Sequence, residues 1–264
     1  MIVGLLGVGL IVFSFLLPGH SSTEAAPAPS ETVEGEAPVD VTKSRPPSPE
    51  PEPPPPPREG PDCSTVACVA LTFDDGPSAH SQALLDKLAE LNVKATFFNT
   101  GKNTKNQPGA VRRQADEGHA LGGHSWNHAD MNKRAAAEAC ADAQETAAAI
   151  RDASGVETIL VRPPYGSWND AVLNACAGMA FILWDVDTMD WSNHDVAKIT
   201  AHAVNDSKPG SIVLMHDTVA ETIEALPGIV AGLRDKGYQL VTVHKMWKEP
   251  IAPGQAIYNG PRPG

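Results

Sequence analysis

A parallel α/β fold, most economically a barrel of seven or eight strands in a single domain, is the architecture that this 264-residue sequence predicts. Three observations carry that expectation. Short apolar runs alternate with longer helical patterns from Cys63 to about Lys248. The runs around Leu160, Val213 and Leu240 are apolar on successive residues, as strands covered on both faces require. The polar residues Asp74, Asp75, His124, Arg162, Asp187 and His216 each fall just after a strand candidate, the end at which barrels place their chemistry.

The elements follow in order. Residues 1–18 form a continuous apolar segment closed by Pro18, about the minimum length for a bilayer span and long for a signal-peptide core. It reads either as an uncleaved membrane anchor or as a signal peptide cut near Ala25-Ala26, and the absence of Lys or Arg before it points to a start further upstream. On either reading the rest of the chain is exported. Residues 19–61, dominated by Pro, Glu, Ser and Ala, cannot bury a core and favour an extended, disordered spacer that lifts the following unit away from a membrane.

Residues 62–248 are the expected catalytic unit. Strands are expected at 69–73, 95–98, 120–122, 159–161, 181–184, 211–215 and 239–241. Helices are expected at 81–91, where Leu84, Leu85, Leu88 and Leu91 share one face, and at 109–117, 133–153, 170–177, 195–204 and 221–236, the last interrupted near Pro227. The Pro- and Gly-rich tail 249–264 is expected to be irregular.

A net charge of −12 argues against a nucleic-acid partner, which needs a basic face, and against long-range attraction to an anionic surface. A polymer substrate would have to be held by local contacts in a groove. Cys63, Cys68, Cys140 and Cys176 form an even set in an exported chain, where disulfides are the default, and their spacing fits no zinc pattern. Of the three pairings, Cys63 with Cys68 and Cys140 with Cys176 is the favoured one.

Five short motifs carry chemistry. Thr72-Phe73-Asp74-Asp75-Gly76 ends a strand on two carboxylates, a costly way to build a core and a good way to hold a base beside a metal ligand. His124-Ser125-Trp126-Asn127-His128 places two imidazoles four apart, so one helical turn would face both toward one ion. Asp75 would complete a two-histidine, one-carboxylate set suited to Zn²⁺, and also to Co²⁺, Fe²⁺ or Ni²⁺. Arg162-Pro163-Pro164-Tyr165-Gly166 is a stiff turn that would aim the Tyr165 N–H outward as an oxyanion donor, while Arg162 pairs with a carboxylate such as Asp74. Asp187-Thr188-Met189-Asp190-Trp191 and Leu214-Met215-His216 offer a histidine held by a carboxylate as a general acid, and a tryptophan to wall a small apolar pocket. His80, His119, His194, His202 and His244 read as structural or exposed, and Asp185 has no assignable role.

These five motifs, in this order, resemble the signatures of the polysaccharide deacetylases, carbohydrate esterase family four, over about Cys63 to Trp247. The resemblance implies a distorted (β/α) barrel and metal-dependent removal of acetyl groups from polysaccharides. It implies Asp74 as catalytic base, Asp75, His124 and His128 as metal ligands, and Arg162 as the residue that positions Asp74. Tyr165 would supply the oxyanion N–H and Asp190 would orient the general acid His216. Tyr165, Trp191 and Leu214 would contact substrate, Trp191 lining the acetyl pocket. The expected substrate is peptidoglycan N-acetylglucosamine, handled by a monomer at the cell surface. Chitin oligomers, acetylated xylan, and an inactive wall-binding module are the alternatives.

Overall fold

Seven consecutive buried residues form β1 (Cys68–Asp74), and the other strands are placed around it. The computed structural model describes residues 60–263; the apolar segment 1–18 and all but the end of the spacer 19–61 lie outside the described residues. In chain order β1 is followed by α1 (Ser81–Glu90), β2 (Thr96–Asn99), α2 (Gly101–Asn106), α3 (Pro108–Asp116), β3 (Ala120–Gly123) and α4 (Ala136–Ser154). Then come β4 (Leu160–Val161), α5 (Asp170–Ala175), β5 (Ala180–Ile182), β6 (Val186–Asp187), α6 (Asp190–Asn193) and α7 (Val196–Asn205). β7 (Ile212–His216), α8 (Ala220–Asp235), β8 (Gln239–Val241) and β9 (Ala256–Ile257) complete the set.

All the strand pairs are parallel, in the order β6-β7-β1-β2-β3-β4-β5-β9. One edge of β1 is shared: Cys68–Ala70 pairs with β8, and Thr72–Asp74 pairs with β2. The sheet is therefore a curled, distorted barrel, as expected. It has nine strands among the described residues rather than seven or eight, because the two-residue β6 and β9 leave no apolar run to read. The tail 249–264, expected to be irregular, supplies β9 along β5. It then bridges back to the start of β7, with Ser211 opposite Asn259 and the Gly260 N–H donating to the Gly210 carbonyl at 2.7 Å. Asp185 also works at this seam: its carboxylate accepts from the Ile212 N–H at 2.8 Å and the Ser211 hydroxyl at 3.1 Å.

Strand periodicity sorts the side chains. Val69, Leu71 and Phe73 face outward into a core built with α1, α7 and α8, whereas Cys68 and Ala70 face the barrel interior. Thr72 and Asp74 share that inner face. On β7, Val213 and Met215 point outward and Ile212 inward, which places Leu214 and His216 inside as well. On β4 and β5, Leu160, Ala180 and Ile182 face in, while Val161 and Phe181 pack outward under α4 and α5. The same alternation carries Arg162, one residue past β4, into the interior.

Two expectations need correction. α8 runs unbroken through Pro227. The proline sits on the exposed face, where water can take the carbonyl that its missing N–H leaves free, and the buried face (Thr222, Ala225, Leu226, Ile229, Val230, Leu233) keeps its helical period. Cys63 and Cys68 are joined as expected, but Cys140 and Cys176 are free thiols. Both lie buried among Met131, Val172, Met179 and Phe181, where cysteine behaves as a small apolar side chain. Burial first, and then the neighbouring Cys140, push the Cys176 thiol far up, so the reactive thiolate is disfavoured.

Among the described residues no helix is long and apolar enough to cross a membrane. Thiol titration of the unfolded, unreduced protein is expected to count two thiols per chain, rising to four after reduction. A count of none before reduction would show a second disulfide and contradict this arrangement.

Candidate active site

Arg162 is fully buried and every arm of its guanidinium is used. Nη1 donates to Asp74 Oδ1 at 2.8 Å and to the Thr72 hydroxyl at 2.7 Å; Nε donates to the Ile182 carbonyl at 3.0 Å, and Nη2 to the Leu183 carbonyl at 3.1 Å. The cation also lies 4.1 Å from the centre of the Phe98 ring. Gly122 makes room for that ring, since a Cβ there would lie 2.6 Å from it. Burial raises the Asp74 carboxyl above its ordinary range, with Arg162 and His216 opposing the rise. Asp74 is therefore held in place by Arg162 and is a stronger base than an exposed carboxylate.

Asp75 leaves the strand. Its φ of 69° is a left-handed conformation rare for a side-chain-bearing residue, and it turns the second carboxylate away from the path of the first. Gly76 follows where a Cβ would meet Asp217 Oδ2 at 2.8 Å and Asn99 Oδ1 at 2.9 Å. Asp217, also buried, pins this turn by accepting from the Ser81 hydroxyl at 2.8 Å and the Ser78 N–H at 3.2 Å.

The two histidines converge, but not on a helical turn. Residues 124–130 form a loop in which Ser125 (φ 56°) and His128 (φ 59°) are left-handed. The Ser125 hydroxyl accepts from the Ala129 N–H at 3.0 Å, and the Trp126 N–H donates to Asp142 of α4 at 2.7 Å. His124 Nδ1 lies 2.7 Å from the Arg162 carbonyl, which can only accept, so Nδ1 carries the proton and Nε2 presents a lone pair. Burial lowers the His124 pKa to about 3, with Asp75 opposing, and keeps the ring neutral.

That lone pair faces Asp75 Oδ1 at 3.5 Å and Asp74 Oδ2 at 3.6 Å, and His128 Nε2 lies 3.4 Å from Asp75 Oδ1. Asp75 Oδ1 is buried without a hydrogen-bond partner among the described residues. The unprotonated His124 Nε2 facing two carboxylate oxygens is a donor set for a cation. The ligand atoms of Asp75, His124 and His128 all lie within 4.8 Å of one another, so the residues fit a divalent metal.

His216 is the register partner of Asp74 across β1 and β7. Its Nδ1 lies 2.8 Å from Asp190 Oδ1, and its N–H donates to Asp190 Oδ2 at 2.7 Å. The fully buried Asp190 also accepts from the Thr222 hydroxyl at 2.6 Å and the Trp191 N–H at 2.9 Å. Thr222 is the functional neighbour that the motifs do not show. Burial alone would lower the His216 pKa, but the hydrogen bond and charge of Asp190, with Asp74 and Asp75 beyond it, raise it to about 9. Asp187, whose carboxylate accepts from the Met189 N–H at 2.8 Å, shapes the left-handed turn that starts α6 and points Asp190 inward.

Leu214 lies buried two residues before His216 on the same strand face. Tyr165 and Trp191 are 69% and 53% exposed, which excludes a core role for either. The Tyr165 ring stands edge-on to His128 at 4.6 Å, and its backbone is left-handed (φ 62°). The backbone bonds of that turn use the N–H groups of Gly166 and Ser167. Of the other histidines, His119 is structural, its Nδ1 accepting from the Ala95 N–H at 3.0 Å, and His194 and His202 sit on the surface beside Glu221 and Asp206.

Residues 62–182 match the family profile described as polysaccharide deacetylase. The chain is 36% identical over 202 residues to the peptidoglycan-N-acetylglucosamine deacetylase PgdA of Listeria monocytogenes, covering 76% of this chain but 43% of that protein. It is 35% identical over 187 residues to a chitooligosaccharide deacetylase of Sinorhizobium fredii, covering 64% of this chain and 87% of that one. A deacetylase structure solved with substrate superposes with a TM-score of 0.71 at 43% identity, over 75% of this chain and 99% of the other.

Two measurements follow from the geometry. Elemental analysis of the purified chain is expected to find one divalent ion, and His124→Ala or His128→Ala is expected to weaken its binding by about a hundredfold or more; undiminished metal content in both variants would exclude the site. For the Asp190–His216 pair, the folded value of about 9 lies above the ordinary 6.5. Its contribution to stability, about 3 kcal/mol at most, is therefore complete below pH 6.5 and lost as the pH rises through about 9. Asp190→Asn should move the His216 ring titration well below 9 by NMR, because burial stays while the partner charge goes. An unmoved titration would contradict the pairing.

Proposed function

The chain belongs to the polysaccharide deacetylase family, and from that premise we propose that it hydrolyses acetyl groups from N-acetylated cell-wall polysaccharide, with peptidoglycan N-acetylglucosamine as substrate. The observation that carries the reading is the meeting, at the C-terminal ends of β1, β3 and β7, of a carboxylate held by Arg162, a metal-ligand triad, and a histidine kept protonated by its ionised carboxylate partner. The Listeria relative favours peptidoglycan; the Sinorhizobium relative, matched over most of its length, supports chitooligosaccharide as a second reading.

Asp75, His124 and His128 would hold one divalent ion, zinc first, with cobalt, iron or nickel as alternatives. When bound, such an ion supplies Lewis-acid polarisation of the acetyl carbonyl and lowers the pKa of water. Asp74 Oδ1 is taken by Arg162, so Oδ2 is the atom that accepts a proton from the attacking water. The Tyr165 N–H donates to the oxygen that gains negative charge. His216 Nδ1 is committed to Asp190, so Nε2 delivers the proton to the departing amine. Water and the amide become acetate and a free amine. Trp191 and Leu214 wall the methyl group.

The catalytic unit in this reading is residues 62–248, completed by the strand-forming tail. It acts as a monomer outside the cell, tethered or exported through residues 1–18. Retention of the N-terminal segment in washed membranes separates an anchor from a signal peptide.

Asp74→Asn is expected to cut acetate release by about a hundredfold or more while metal content stays at the wild-type level. Near-wild-type turnover in that variant would remove Asp74 as base. Mass spectrometry of muropeptides, chitooligomers and acetylated xylan after incubation with the metal-loaded chain should show loss of acetyl from muropeptide glucosamine. Activity on xylan alone would overturn the substrate assignment.

A further inference from the structure

Thr222 lies on the buried face of α8, and the other buried residues of that face are apolar: Ala225, Leu226, Ile229, Val230 and Leu233. A hydroxyl in such a place is destabilising unless it is bonded. Thr146, Ser154 and Thr200 solve the same problem locally, by donating to the carbonyl four residues back at 2.9, 2.7 and 2.7 Å. Thr222 sits in the first turn of α8, so no helical carbonyl lies four residues behind it. Its hydroxyl crosses to α6 instead and donates to Asp190 Oδ2 at 2.6 Å, the shortest of the bonds that Asp190 accepts.

The bonds to Asp190 divide evenly between its oxygens. Oδ1 takes the His216 Nδ1–H and the Trp191 N–H; Oδ2 takes the His216 N–H and the Thr222 hydroxyl. Two donors on each oxygen fix the plane of the carboxylate, and that plane aims the imidazole. Three of these donors come from His216 itself or from Trp191, next to Asp190 in sequence. Thr222 is the donor that comes from outside the acid and its carboxylate partner. A second tie joins the same two helices: His194 Nδ1, just past the end of α6, lies 3.2 Å from Glu221 Oε2 in the first turn of α8. Burial pushes the Asp190 carboxyl up, but the hydrogen bond and charge of His216, followed by the Thr222 hydroxyl, bring it below its ordinary range.

We propose that Thr222 is a positioning residue for the acid step, holding the Asp190 carboxylate in the plane that directs His216 Nε2 at the departing amine. The inference rests on the deacetylase reading and adds a residue to it. Without the hydroxyl, Asp190 Oδ2 keeps one donor, the carboxylate can turn about its Cβ–Cγ bond, and the imidazole turns with it. The pairing of Asp74 with Arg162 and the metal-ligand set do not involve Thr222. Attack on the acetyl carbonyl is therefore retained while protonation of the amine suffers.

The test compares the metal-loaded wild-type chain with Thr222→Val, which keeps the shape and loses the hydroxyl, and Thr222→Ser, which keeps the hydroxyl. Acetate release is followed from muropeptides and chitotetraose, whose amine must be protonated to leave, and from 4-nitrophenyl acetate, whose phenolate leaves without a proton. In Thr222→Val the ratio of kcat on the amide to kcat on the ester is expected to fall about tenfold, with metal content and the glycan KM unchanged. Thr222→Ser should restore the ratio. Independently of turnover, exchange of the His216 Nδ1 proton with water, read by NMR, should quicken about tenfold in Thr222→Val and not in Thr222→Ser. Equal losses on amide and ester, or unchanged exchange of that proton in Thr222→Val, would overturn the proposal. Failure of the wild-type chain to release acetate from either glycan removes the deacetylase reading, whereas the proton exchange still decides the role of Thr222.

Discussion

The buried contact between Arg162 and Asp74 is the constraint from which the rest of the site is arranged. Removing two opposite charges from water costs several kcal/mol per ion, roughly, and their attraction offsets this only when the remaining donors are also satisfied. Here they are. Thr72, the Ile182 carbonyl, the Leu183 carbonyl and the face of Phe98 take what Asp74 leaves. The Thr72 hydroxyl in turn donates a hydrogen bond to the Val213 carbonyl at 2.7 Å, so the network ties β1, β4, β5 and β7 together through one guanidinium. The carbonyl of the same arginine sets the tautomer of His124. One residue therefore fixes the base and decides which nitrogen of a metal ligand faces the ion.

Two adjacent carboxylates come to differ because the backbone between them changes hand. Asp74 ends a strand and points into the barrel by the two-residue alternation; Asp75 is left-handed and points to the mouth. Asp75, Ser125, His128, Tyr165 and Met189 are all left-handed non-glycine residues, and all lie within the motif loops around the centre. Each such conformation costs free energy, of order 1 kcal/mol or more, and persists only where the surroundings over-determine it. The pins are visible: Asp217 with Ser78 and Ser81, Asp142 with Trp126, and Asp187 with Met189. The loops are strained and fastened, which is how short strand ends hold reacting groups in a fixed relation.

The sequence made the layered α/β plan readable because β1, β5 and β7 are apolar on both faces and α1 and α7 keep a helical period. The two-residue β6 and β9 escape such a reading, because Val186–Asp187 and Ala256–Ile257 lie in no apolar run, whereas the equally short β4 (Leu160–Val161) sits in one and is expected from it. The motif residues themselves were legible by type and order. Their supports were less so: Thr72, Thr222 and Asp217 act through contacts over long sequence distances, such as Thr222 to Asp190, which spacing does not encode. The helical turn expected for His124 and His128 failed for a local reason. Spacing of four is compatible with a helix, but Ser125 adopts the left-handed form and the loop brings the rings together instead.

On the proposed roles, the electrostatics of base and acid are linked in a way that helps turnover. Asp74 and His216 occupy paired positions on adjacent strands, and each favours the other's charged form. Before reaction, ionised Asp74 is among the charges that hold the proton on His216. When Asp74 takes the proton of the attacking water, that charge disappears and the imidazolium becomes more acidic. The acid is thus strengthened at the step in which it must release its proton to the amine. Asp190 limits the effect: its four hydrogen-bond donors keep it ionised, so His216 is tuned by Asp74 without losing its orientation. A base and an acid on neighbouring strands, with separate anchors in Arg162 and Asp190, can therefore exchange electrostatic information without exchanging a proton directly.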